Sequence, residues 1–109
     1  MKVSEIAEKL NLTLKSGEDG IDREVTGGYA GDLLSLVMGK AQSGNVWVTI
    51  QTNINIMGVA TLTDVSMIIL AEGFSPDPNT AKRSDMEGIP VYSSEKTAFE
   101  LVCELKDLV

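Results

Sequence analysis

Apolar positions recur along this chain in two rhythms, and the switches between them mark out the elements. Val3, Ile6, Ala7 and Leu10 fall at helical spacing, with Ser4 as a cap, Glu5 and Glu8 near the positive end and Asn11 as a stop. LTLKSG alternates and predicts a short strand closed by Gly17. Val25 and Thr26 suit a second strand, which Gly27-Gly28 then punctuate. Asp32 is placed to cap LLSLVMGKA, where Leu33, Leu34, Leu36, Val37 and Met38 cover most of a helix circumference. A helix so apolar on most sides is buried or lies at a subunit contact.

Val46 to Gln51 predicts the next strand. Ile54 to Leu62 predicts a second unusually apolar helix, capped by Asn53 or Asn55, with Gly58 inside it suggesting close packing. In VSMIILAEG the run Met67 to Leu70 does not alternate, which fits a central strand covered on both faces and ended by Gly73. Asp77 and Pro78 open a polar helix that runs to about Met86, and Gly88 stops it. IPVYS is a short strand, with Pro90 at its start or on a sheet edge. Ser94 then caps a last helix striped by Ala98, Leu101, Val102, Leu105 and Leu108.

Strands that alternate with helices predict one three-layer α/β/α domain over residues 1–109 with a mostly parallel sheet. The early hairpin-like pair of strands adds a possible antiparallel edge. The 109 residues suffice to bury roughly two-thirds of the unfolded surface.

Charge narrows the function classes. Sixteen acidic residues against nine basic ones give a net charge of −7, which opposes nucleic-acid and anionic-membrane binding. It leaves room for one small anion held locally by backbone N–H groups. Histidine is absent, which removes imidazole triads and histidine metal sites. The lone cysteine, Cys103, reads as a half-buried small apolar residue, and with no leader-like N-terminus it predicts a cytoplasmic protein. No apolar stretch is long enough to span a membrane.

In open α/β sheets ligands bind beyond the carboxyl ends of the strands, where helix N-termini point. That rule selects four loops, around Gly27-Gly28, Thr52-Asn53-Asn55, Glu72-Gly73 and Ser94. Their glycines, hydroxyls and amides suit a phosphate or a nucleotide edge, and also suit ordinary caps and turns. TGGYAGDL lacks the lysine of a P-loop, and Thr26 stands where a dinucleotide fingerprint has its first glycine. DREVTGG therefore reads as a glycine turn that brings backbone close to another group. Asp19 with Asp22, and Asp85 with Glu87, lack the partners of a metal site and read as solvated charge. Glu72 is a lone acid at the rim, able to bond a ligand hydroxyl or face solvent.

The segments DREVTGGYAGDLLS, VWVTIQTNINIMGVATLTDVSMIILAEG and IPVYSSEKTAFEL together resemble the DRTGG domain family, over roughly Val3 to Leu105. Such domains are similar to the N-terminal domain of HPr kinase/phosphorylase and to a MurF-like fold. The family's D-R and T-G-G positions read here Thr52-Asn53 and Ala71-Glu72-Gly73, so one glycine is kept and the charged pair is not. The resemblance implies a regulatory, non-catalytic module without a cofactor or metal. It also implies a homodimer acting on a separate kinase or other regulated protein. The alternative is a sensor that holds a small anionic ligand, a nucleotide or phosphometabolite, at the helix N-termini of the rim.

Overall fold

The unbroken apolar runs become the inner strands of one sheet. The computed structural model describes all residues 1–109. In chain order it contains α1 (Val3–Lys9), β1 (Thr13–Ser16), a 3-10 turn (Glu18–Gly20), β2 (Gly27–Ala30), α2 (Leu34–Lys40), β3 (Asn45–Thr49), α3 (Asn55–Thr63), β4 (Met67–Leu70), α4 (Pro78–Glu87), β5 (Val91–Ser93) and α5 (Ala98–Leu105). The strand order is β1-β5-β4-β3-β2. Strands β2 to β5 are parallel, and β1 runs antiparallel against β5.

Each strand sends alternate side chains to opposite faces, and both faces are covered. Val46, Val48, Met67 and Ile69 pack with Val3, Ile6 and Leu10 of the α1 region and with Leu101 and Leu105 of α5. Trp47, Ile68, Leu70 and Val91 pack on the other face with Val37 of α2 and Ile56, Met57, Val59 and Ala60 of α3. All four β4 residues are fully buried, as a non-alternating run requires. The layers are therefore α1 and α5, the sheet, then α2 to α4.

Buried polar groups are partnered throughout. The Ser16 hydroxyl donates to Ser84 Oγ at 2.8 Å, and Ser84 Oγ donates to the Ile89 carbonyl at 2.6 Å, which ties β1 to α4. Asp85 accepts from the Gly17 N–H at 2.7 Å, and Glu87 pairs with Arg83 at 3.0 Å. Asp85 is thus a fold anchor as well as a surface charge. Arg23 donates to Asp64 Oδ1 and to the Val65 carbonyl, and it clamps the chain before β2 to the α3–β4 turn.

Six local expectations are corrected. Gly27 and Gly28 are the first half of β2, opposite Asn45 and Val46, and form no turn. Side chains of β3 lie close to both glycines. An added Cβ on Gly28 would sit 3.2 Å from Val46 Cγ1, and one on Gly27 3.3 Å from Asn45 Nδ2. Asp32 does not cap α2; its carboxylate accepts from Thr49 Oγ1 at 2.8 Å and the Ile50 N–H at 2.9 Å. The cap of α5 is Thr97 and not Ser94, in a reciprocal pair with Glu100. Gly58 faces open space rather than a packed neighbour, and Cys103 is exposed. Finally, the first two strands form no hairpin but lie on opposite edges of the sheet.

Candidate functional site

Three successive crossovers, through α2, α3 and α4, lie on one face of the sheet. The connection after β5 turns to the other face, where α5 packs. Adjacent connections therefore diverge above β4 and β5, and such divergence opens a crevice at the carboxyl end of a parallel sheet. A cavity of about 360 Å³ lies there. Because β1 is antiparallel, its start meets the end of β5, with Thr13 opposite Ser93. The turn before β1 and the first half of that strand thus complete the wall.

One side of the cleft is Leu10, Asn11, Thr13 and Lys15. The other is Gly73 and Ser75 from the β4–α4 loop, with Ser93, Ser94, Glu95 and Lys96 after β5. Leu10 is the only apolar member. The β1–β5 register shifts between Leu14 and Ser16, so Lys15 is the bulged residue. Lys15 is two residues beyond Thr13, and both line the cleft.

The loops are fixed to each other by backbone hydrogen bonds. The Glu72 N–H donates to the Lys96 carbonyl at 2.9 Å, and the Gly73 N–H to the Ser94 carbonyl at 2.8 Å. Both residues have left-handed backbone, at φ 61° and 76°. At Gly73 the left-handed backbone favours glycine, and the Glu95 carboxylate lies 2.7 Å from where a Cβ would stand. The Ser93 hydroxyl donates to the Phe74 carbonyl at 2.6 Å.

Two cations and one carboxylate line the cleft of a chain whose net charge is −7. Lys96 Nζ lies 2.8 Å from both oxygens of Glu104, while Lys15 takes part in no ion pair. The first turn of α5 is internally satisfied. Thr97 N–H donates to Glu100, whose own N–H donates to Thr97 Oγ1. Hydrogen bonds from the Thr97 backbone and hydroxyl hold the Glu100 carboxyl below its ordinary value. The cleft thus offers ammonium, hydroxyl and amide groups, and its binding capacity does not rest on a helix end.

The rim residues singled out in the sequence do not converge. Gly73 and Ser94 line this cleft. Glu72 is exposed beside it without lining it. Asn53 is engaged locally: its Nδ2 donates to Gln51 Oε1, and its Oδ1 accepts from the Asn55 N–H. The Thr52 carbonyl accepts from the Asp77 N–H and from Thr80 Oγ1, which holds the start of α4. Asn55 faces a different groove, of about 660 Å³, between α2 and α3. Gly28 lies at the amino end of β2, beside an apolar groove formed with Val102, Leu105 and Val109. Asn11, Thr13 and Lys15 escaped sequence reasoning because the carboxyl-end rule looks only at parallel strands. The signal was the position of β1, antiparallel against the last strand.

The α2–α3 surface is the second notable feature. Leu33, Leu36, Met38, Ile54 and Leu62, on or next to these helices, are exposed, Leu62 by 73%, and Met38 and Leu62 line the groove between them. No charged residue lines the groove between the two helices. No helix of the chain is long and apolar enough to cross a membrane.

No family model and no curated protein matches the sequence. Among solved structures, the chain is similar to the CBS and DRTGG domains of the regulatory region of Clostridium perfringens pyrophosphatase, complexed with its activator diadenosine tetraphosphate. The TM-score is 0.74 at 12% identity, over 95% of this chain and 45% of that one. The chain thus spans less than half of that structure. At this identity the likeness is one of fold, and it supports a DRTGG-like fold.

Proposed function

We propose that residues 1–109 form a single DRTGG-like domain, related in form to the N-terminal domain of HPr kinase/phosphorylase. In this reading it is a non-catalytic regulatory module of the cytoplasm that pairs with a second copy and acts on a separate protein, such as a kinase. The observation that carries it is the exposed apolar surface of α2 and α3. Exposed apolar side chains on two adjacent helices, with an uncharged groove between them, suit an interaction site. A two-fold pair buries one such patch against itself, and no charge in the groove opposes that. The pyrophosphatase region of similar fold is regulatory, which agrees with this class of role.

Sedimentation equilibrium tests the pairing. A concentration-dependent dimer is expected, and Leu62→Glu should weaken it by roughly tenfold or more by burying a charge in the contact. A strict monomer at about millimolar concentration would end this reading. A ligand-sensing role for the same module is favoured by the polar cleft, whose position and lining suit a small anionic ligand better than a protein surface. That role replaces the expected helix N-termini with the lysines and hydroxyls of the cleft.

A further inference from the structure

We propose that the cleft between β1 and the loops after β4 and β5 binds a monophosphorylated sugar or polyol, with the phosphate on Lys15. This rests on the ligand-sensing reading and names its ligand class. Lys15 is the one cleft cation without a carboxylate partner, since Glu104 already takes Lys96. One unpaired ammonium matches one phosphate. Glu95 stands on the opposite wall, and its charge repels a second phosphate while accepting hydrogen bonds from ligand hydroxyls. Asn11, Thr13 and Ser75 add donors and acceptors suited to a polyhydroxylated chain or ring.

Size and lining argue against a nucleotide. Ligand sites run from roughly 300 to 1,000 Å³, which puts this cavity of about 360 Å³ at the small end. Nucleobases gain affinity by stacking on aromatic side chains. Leu10 is the only apolar lining residue, and the exposed ring of Phe74, between Gly73 and Ser75, does not line the cleft. Tyr92, on the neighbouring strand, is buried in the core.

Calorimetry on the intact chain at low ionic strength tests the assignment. The probes are ribose 5-phosphate, glycerol 3-phosphate, inorganic phosphate, ribose, adenosine monophosphate and diadenosine tetraphosphate. A sugar or polyol phosphate should bind at least about tenfold more tightly than inorganic phosphate or ribose alone. Lys15→Met should weaken that binding by about tenfold or more. Lys15 is exposed and unpaired, so the variant should keep its circular dichroism and melting temperature. Glu95→Gln should narrow the preference for ribose 5-phosphate over inorganic phosphate and leave phosphate affinity equal or higher. Tighter binding of either adenine nucleotide overturns the ligand class and leaves the sensing role standing. Binding indifferent to Lys15→Met overturns the placement of the phosphate. No heat from any probe at about 5 mM overturns both the class and the sensing role.

Discussion

Gly17 and Asp64 show how single residues set the geometry around which the sheet closes. Gly17 ends β1 with left-handed backbone at φ 77°, and an added Cβ there would collide with the carbonyl of Ile89. Gly17→Ala should therefore destabilise the fold by at least about 1–3 kcal/mol, read as a fall in the urea midpoint. Asp64 is a different case. The Ser43 hydroxyl, ahead of the opposing effect of burial, and then the hydrogen bond and charge of Arg23, lower its carboxyl below the ordinary 3.8. A depressed carboxylate contributes stability that is full above its unfolded value and is lost as pH falls through the folded one. Urea midpoints measured between pH 2 and 7 should fall on acidification below about pH 4 in the wild type, and less steeply in Asp64→Asn. Its side chain is 61% exposed, so the difference is small.

At the level of elements, periodicity was the reliable signal. The order of helices and strands follows from apolar spacing, and β4 was legible as the centre because Met67 to Leu70 has no polar side to expose. Caps were less legible, because several small polar residues compete near each helix start. Asp32 prefers the end of β3, and Thr97 outcompetes Ser94 through its partnership with Glu100. Gly27-Gly28 reads as punctuation in a linear chain. In the fold they are strand residues, with side chains of the neighbouring strand close to both. The candidate site was half legible for the same reason. Gly73 and Ser94 follow from strand ends, whereas Lys15 depends on an antiparallel neighbour, which sets β1 beside the end of β5. Gly58 supplies a test on α3. A Cβ there meets nothing within the molecule, so Gly58→Ala should raise the stability of the dilute monomer by about 0.5–1 kcal/mol. A loss of stability would mean that α3 does not adopt this environment.

The whole molecule separates two surfaces. The polar cleft lies where the β4 and β5 connections part, whereas exposed apolar side chains gather on α2 and α3, and a second apolar groove lies between β2 and α5. The edges of the sheet differ too. The β1 edge carries a bulge and Lys15, devices that discourage strand addition, while β2 contributes glycine, tyrosine and alanine. Pairing through the helices rather than the sheet is thus a claim about location, and it needs a measurement that reports location. Amide chemical shifts followed through a dilution series provide one. Signals from Leu33, Leu36, Met38, Ile54 and Leu62 should move together with concentration, while those of α1 and the cleft stay fixed. Shifts confined to β2, or no concentration dependence at all, would contradict the account.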